Sequence, residues 1–151
     1  MLYQLSNIAE ISVSYYPKLS ENPLIIRSSE AYLIFMQFFP NETMHLQERF
    51  MVMYLNCANR VIGIYPISAG GITGTVADTR LILGVALKVA ATSLMLAHNH
   101  PSGNLNPSQN DLALTSKIKE AGKYMDIRVI DHFILSSEEG KYLSFADEGL
   151  I

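Results

Sequence analysis

A short apolar run that stops at two histidines is the feature that most constrains this chain. Residues 93–97 are followed by His98 and His100, which a single residue separates. In an extended strand the side chains of residues i and i+2 lie on one face, so both imidazoles can reach the same point. Pro101 and Gly103 then end the strand and turn the chain. We therefore expect a strand whose carboxyl end carries two converging imidazoles.

A carboxylate can return to this point after the turn, because Asp111 lies near the start of the next helical pattern. Two neutral imidazoles and one carboxylate form a three-ligand set for Zn²⁺ that leaves the fourth tetrahedral position to water, as in catalytic zinc sites. Two other interpretations stay open. The histidines can be polar residues that end a strand and bond the loop, and Asp111 can reach back to Ser108 in a capping box. The working hypothesis is a zinc hydrolase with His98, His100 and Asp111 as metal ligands.

Composition narrows the class of protein. The chain has 151 residues, of which 49% are apolar and 17% charged, so we expect one well-buried globular domain. A net charge of −3 does not indicate the broad basic surface that binds nucleic acid. The single cysteine, Cys57, excludes an intrachain disulfide and a multi-cysteine zinc site. Neither a signal peptide nor a membrane-spanning run is apparent, and we expect a cytoplasmic protein that does not contact the membrane.

The hydrophobic periodicity predicts an α/β (α+β) domain with a mixed β-sheet sandwiched by helices. A polar turn over 17–23 divides the chain into a β extension, 1–24, with a strand at 10–16, and a main domain, 25–151. Within the main domain the pattern predicts helices and strands in alternation. The helices cover 28–39, 79–91 and 108–124, and the strands cover 48–56, 61–67, 93–98, 127–135 and 141–145.

Several details of the helices follow from the same pattern. We expect Ser28 or Ser29 to cap the first helix, whose buried residues include Ala31, Phe35 and Phe38. The helix over 79–91, capped by Asp78, is apolar on almost every side and should be deeply buried. Gly122 is expected at the fraying end of the third helix.

Four further features carry expectations of their own. The glycine-rich segment 68–75 is either a tight turn with a bulge or the rim of a substrate site. His132, in an apolar strand, is expected to be a core residue or to support a ligand from behind. Asp131 could orient a ligand imidazole. His45 lies in a polar loop and should be exposed.

The spacing of the site residues resembles a known family motif. His98-x-His100-Pro101, followed by Pro107-Ser108-x-x-Asp111, resembles the JAMM motif of JAB/MPN metalloproteases. The resemblance covers about residues 25–150 and implies the JAB/MPN (cytidine-deaminase-like) fold. It points to the RadC-like branch through five further residues: Asn99, Ser102, Gly103, Asp131 and His132.

The resemblance also implies roles for two residues outside the ligand set. Glu48, just before an apolar strand, matches the glutamate that serves the family as general base. It can instead be a strand-end acid paired with Arg49, and Glu42 in the preceding loop is its only nearby competitor. Ser108 matches the serine that hydrogen-bonds the oxyanion, although it can also simply cap its helix.

The implied function is zinc-dependent hydrolysis of an amide bond, in a peptide or isopeptide substrate, by a zinc-activated water. One alternative is a catalytically idle metal-binding interaction module. Another is a DNA-repair-associated accessory protein, the role historically attached to RadC proteins. Such proteins typically carry a helix-hairpin-helix region, which this sequence lacks, so we expect no DNA binding by this chain alone. Exposed sheet edges are compatible with a monomer or a dimer.

Overall fold

A computed structural model describes residues 8–17, 22–71 and 75–151. Over these residues the chain forms three α-helices, one short 3₁₀ turn at Asn41–Thr43 and five strands. The elements are, in chain order, α1 (Ser28–Met36), β1 (Arg49–Leu55), β2 (Val61–Ala69), α2 (Thr79–Lys88), β3 (Ser93–Asn99), α3 (Gln109–Lys123), β4 (Arg128–Leu135) and β5 (Tyr142–Ser144). This arrangement confirms the predicted fold class. None of the helices in these ranges is long and apolar enough to cross a bilayer.

The strands form one mixed sheet in the order β2-β1-β3-β4-β5. Only β3 and β4 are parallel, and α3 connects them, as a parallel pair requires a crossover. β1 runs antiparallel to β3 with Phe50 opposite His98. The amino end of β1 and the carboxyl end of β3 therefore meet at the same edge of the sheet.

Helices cover both faces of the sheet, as predicted. On one face, Phe35 of α1 packs in a cluster with Met53 of β1. On the other face, Val52 of β1 packs with Ile82 of α2 and Ile118 of α3. The alternation of β1 residues between two apolar cores explains why this strand is apolar on both sides.

The first helix differs from its prediction at both ends. Neither Ser28 nor Ser29 is the N-cap. Instead, the carboxylate of Glu30 accepts hydrogen bonds from the two backbone N–H groups just before the helix, at 2.7 and 3.0 Å. At the other end Phe38 is 51% exposed, whereas Phe39 is 3% exposed. Because the helix ends at Met36, helical spacing no longer decides which of these two rings faces the core.

The prediction that α2 is deeply buried is wrong. Asp78 caps the helix as expected, accepting from the backbone N–H of Arg80. Leu81 and Leu87, however, are 39% and 58% exposed. The helix lies on the outside of the sheet, so only the face toward the sheet is covered, by Ile82, Leu83 and Ala86.

The strand predicted at 10–16 is absent from the described part of the N-terminal region. Residues 8–17 carry no strand assignment, and Ile11 and Val13 are 89% and 73% exposed. Alternation predicts a strand only where a neighbouring strand can take up its hydrogen bonds, and none is paired with this segment. The division between 1–24 and 25–151 stays a prediction.

Gly122 is a close-packing residue rather than a fraying end. It is buried within α3. A Cβ atom at this position would lie 2.4 Å from the carbonyl oxygen of Ile127, which is backbone and cannot move aside. The absence of a side chain therefore lets the chain return from α3 into β4.

We expect Gly122→Ala to lower the free energy of unfolding by about 1–3 kcal/mol, the usual cost of overpacking. Gly84→Ala is the matched control, since a Cβ there meets nothing within 4 Å. That exposed helical substitution should stabilise the protein by about 0.5–1 kcal/mol. Urea unfolding measures both, and equal effects of the two substitutions would contradict the packing argument.

Candidate metal centre

Three potential ligands converge where β3 ends and α3 begins. The Nε2 atoms of His98 and His100 lie 3.0 Å apart. His98 Nε2 lies 3.2 Å from Asp111 Oδ1, and His100 Nε2 lies 3.4 Å from Asp111 Oδ2. His98 is buried and the other two side chains are partly exposed, so the cluster is open on one side.

Asp111 takes part in the capping box and also lies in the cluster of potential ligands, so the two interpretations from the sequence are compatible. It is the third residue of α3, and its Oδ2 accepts from the backbone N–H of Ser108 at 2.7 Å. In return, Ser108 Oγ accepts from the backbone N–H of Asp111 at 3.1 Å. The capping box holds the carboxylate at the helix start, with its oxygens still within reach of both imidazoles.

The cluster fits a divalent cation on the chemistry of its donors. His100 Nδ1 donates to the carbonyl oxygen of Asn104 at 2.5 Å, so a neutral His100 ring presents a lone pair at Nε2. The Nε2 of His98 and the Asp111 carboxylate face the same point. The three distances lie near the edge of about 3.3 Å expected for a tetrahedron with bonds of about 2.0–2.1 Å. These residues could therefore bind a metal ion.

The charges within the cluster favour an ionised carboxylate. Burial raises the pKa of Asp111, but the hydrogen bonds that His100 and His98 donate to the carboxylate when they are protonated outweigh it and hold that pKa well below its usual range. The hydrogen bond to Asp111 in turn raises the pKa of His100, against the effect of burial. A cation is thus stabilised at this point, whether it is a proton or a metal ion.

Glu48 lies in the same cleft as the cluster. The register of β1 and β3, continued by two residues from Phe50 and His98, brings Glu48 level with His100. Burial raises the pKa of Glu48, and the nearby His98 and His100 partly offset that effect. Its suggested partner Arg49 hydrogen-bonds elsewhere, to side-chain oxygens in the loop before β1.

The remaining candidates from the sequence are separated from the cluster or only partly described. Glu42 is exposed in the 3₁₀ turn and does not line the cleft. His45 is exposed, as predicted. Thr75, at the end of the glycine-rich segment, lines the cleft. Because 72–74 lie outside the described residues, the two interpretations of this segment stay open.

His132 supports the cluster from behind, which agrees with its prediction. The ring is fully buried, and its Nε2 lies 2.8 Å from Nδ1 of His98. Its Nδ1 lies 2.6 Å from Oγ1 of Thr115. Burial lowers the pKa of His132 well below its usual value.

The role suggested for Asp131 is wrong. Its carboxylate accepts from the Ser144 hydroxyl at 2.6 Å and from the backbone N–H groups of His132 and Ala146. Successive strand residues point to opposite faces, so Asp131 faces away from the imidazoles when His132 faces them. Asp131 instead connects β4 by hydrogen bonds to the end of β5 and the turn that follows it.

Asn99 is a supporting residue to which the sequence assigned no role. It is 1% exposed, and its Oδ1 accepts from the backbone N–H of Arg49 at 2.8 Å. Its Nδ2 donates to the carbonyl oxygens of Met44 and Gln47, at 2.9 and 3.0 Å. The amide thereby ties the loop that carries Glu48 to the strand that carries the histidines. Its position between the two histidines, at the end of an apolar strand, was the available signal.

We expect Asn99→Leu to lower the free energy of unfolding by more than about 2 kcal/mol. The substitution leaves two carbonyl groups and one N–H group of the loop before β1 without their hydrogen-bond partner. Asn110→Leu, at an exposed position of α3, is the control and should change stability by less than about 0.5 kcal/mol. Chemical denaturation measures both. A tolerated Asn99→Leu would show that the loop does not depend on this amide.

The fold and cluster together define a domain of JAB/MPN type, with a possible metal site at the end of β3. Comparison with known proteins identifies the family. The profile of the RadC-like JAB domain matches residues 25–150, and the chain belongs to this family.

The chain is similar to bacterial proteins named UPF0758. It is 48% identical over 126 residues to the one from Flavobacterium johnsoniae, a match that covers 83% of this chain and 53% of that protein. It is 42% identical over 105 residues to the one from Porphyromonas gingivalis, a match that covers 70% of this chain and 46% of that protein. The chain spans about half the length of these curated relatives.

Proposed function

We propose that this protein is a zinc-dependent hydrolase that cleaves amide bonds in a peptide or isopeptide substrate. The observation that carries the proposal is the convergence of His98, His100 and Asp111 in a cleft that also contains Glu48. Membership of the JAB family supports the same chemistry. The metal and the hydrolytic activity are both part of the proposal.

His98, His100 and Asp111 would hold the ion. A bound Zn²⁺ supplies Lewis acidity, which makes water more acidic and polarises a carbonyl oxygen. Glu48 would accept the proton of the attacking water and deliver it to the leaving amine. Its burial and raised pKa suit that task, because a carboxylate that is less acidic than usual is a stronger base.

Ser108 would stabilise the charge that develops on the substrate oxygen. Its Oγ already accepts the backbone N–H of Asp111 in the helix cap. A hydroxyl has one hydrogen to donate in addition, and Ser108 lines the cleft. The cap and the catalytic role are therefore compatible, as an oxygen can accept from the helix while its hydrogen reaches the substrate.

The lining of the cleft favours an amide over a phosphodiester substrate. The cleft has a volume of about 430 Å³. No Lys or Arg is among the described residues that line it, whereas the side-chain amides of Asn104, Asn106 and Asn110 are. Amides pair with the backbone of a peptide, and phosphates are usually held by cationic side chains. This charge pattern does not favour the DNA-associated alternative.

Replacing the proposed base should separate hydrolysis from metal binding. We expect Glu48→Gln to lower kcat by about 10²–10⁴-fold with bound zinc unchanged, because the amide cannot take up the proton. Glu42→Gln, outside the cleft, is the matched control and should keep full activity. His98→Ala should lose the metal. Zinc content and turnover are measured on the same preparations, and an active Glu48→Gln variant would remove Glu48 from the mechanism.

The substrate class can be tested with the zinc-loaded protein. We expect it to cleave members of a library of peptide and isopeptide amides, and to leave duplex DNA uncut and unbound at physiological salt. A chelator should abolish the cleavage, and added Zn²⁺ should restore it. Metal binding without turnover on any amide would favour the interaction module. Tight duplex binding would favour the DNA-associated role.

A further inference from the structure

We infer that Thr115 and His132 form a one-directional hydrogen-bond relay that fixes the tautomer of His98, so that its Nε2 lone pair faces the proposed metal ion. The inference rests on the proposed metal site and adds two positioning residues to it. Neither residue lines the cleft. Both act through His98.

The direction of the relay is set at its far end by a backbone carbonyl. Thr115 Oγ1 lies 2.6 Å from the carbonyl oxygen of Asp111 and 2.6 Å from Nδ1 of His132. A carbonyl oxygen can only accept, and a hydroxyl has a single hydrogen. The Thr115 and Asp111 oxygens can approach to 2.6 Å only when a hydrogen bond joins them, so the Thr115 hydroxyl donates its hydrogen to the Asp111 carbonyl. The Thr115 oxygen must then accept, and His132 Nδ1 must carry a hydrogen.

The next step follows from the surroundings of His132. Its ring is fully buried and packs against the rings of Phe50 and Phe145, at centroid distances of 5.6 and 4.7 Å. Among the described residues, its hydrogen-bond partners are Thr115 and His98, and neither is a carboxylate. A buried imidazolium without a carboxylate is costly. With its one hydrogen on Nδ1, the neutral ring accepts at Nε2.

His98 is thereby limited to one tautomer. Its Nδ1 lies 2.8 Å from the accepting Nε2 of His132, so Nδ1 carries the hydrogen. The Nε2 of a neutral His98 then has a lone pair, and this atom faces Asp111 and His100. Thr115 follows Asp111 by one helical turn, so the same helix start supplies a carboxylate ligand and orients the proton of an imidazole ligand.

Removal of the Thr115 hydroxyl should release this constraint. His132 could then move its hydrogen to Nε2 and donate to His98, which would place the His98 hydrogen on Nε2, facing the cluster. A metal ion would have to displace that hydrogen. Loss of the hydrogen-bond partner of a metal-bound imidazole typically lowers the affinity for the metal by about 10–100-fold. We expect a loss of this size in Thr115→Val, which keeps the shape of the side chain, and none in Thr115→Ser, which keeps the hydroxyl.

The test combines zinc titration with NMR of the imidazole rings. The chain has four histidines, so ring-¹⁵N labelling produces four assignable rings, and the exposed His45 serves as the reference. In the metal-free wild type and in Thr115→Ser, at about pH 8, above the ordinary histidine pKa, we expect hydrogens on Nδ1 of both His98 and His132. In Thr115→Val we expect the hydrogen of each of these two rings on Nε2 instead of Nδ1. Competition with a chromophoric chelator measures zinc affinity for all three proteins.

The tautomer of His132 in the wild-type protein tests the relay directly, so the test does not depend on a variant that folds poorly. A hydrogen on Nε2 of His132, with none on Nδ1, overturns it. Unchanged zinc affinity in a folded Thr115→Val protein also overturns it, since the relay would then have no effect on the metal. Should the wild type bind no zinc but keep the Nδ1 hydrogens, the relay stands and the proposed function fails.

Discussion

The antiparallel pairing of β1 with β3 is the constraint on which the rest of the structure depends. Phe50 opposite His98 is the last pair at the edge where β1 begins and β3 ends. Antiparallel strands bring the start of one next to the end of the other. Glu48 and the two histidines therefore meet across 50 residues of chain, with α3 adding Asp111 from the crossover that the parallel β3–β4 pair requires.

Behind this edge the buried side chains of Asn99, His132 and Thr115 are hydrogen-bonded. Asn99 uses three hydrogen bonds to hold the loop before β1, and His132 connects His98 to Thr115. An unpaired polar group in the interior would be costly, so each of these side chains restricts its neighbours to one arrangement. The ring of Phe50 contributes to the same rigidity, since it stacks on His98 with nearly parallel rings.

The fold class and the convergence of the proposed ligands could be predicted because they depend on local patterns. A strand period places His98 and His100 on one face, and turn residues return the chain to Asp111. The details that failed are those that depend on neighbours. The exposure of Phe38 depends on where α1 stops, and the strand expected at 10–16 lacks a partner in the described structure. Gly122 is explained by a carbonyl five residues away, which no propensity encodes.

The sequence by itself determined which chemical groups are present and which of them share a strand face, because strand and helix periods are properties of the local backbone. Only the tertiary structure decided that Glu48 lies with the histidines while Glu42 does not, and that His132 rather than Asp131 supports His98. Those outcomes depend on strand order and register. They are set by the burial of both sheet faces against helices that are distant in sequence.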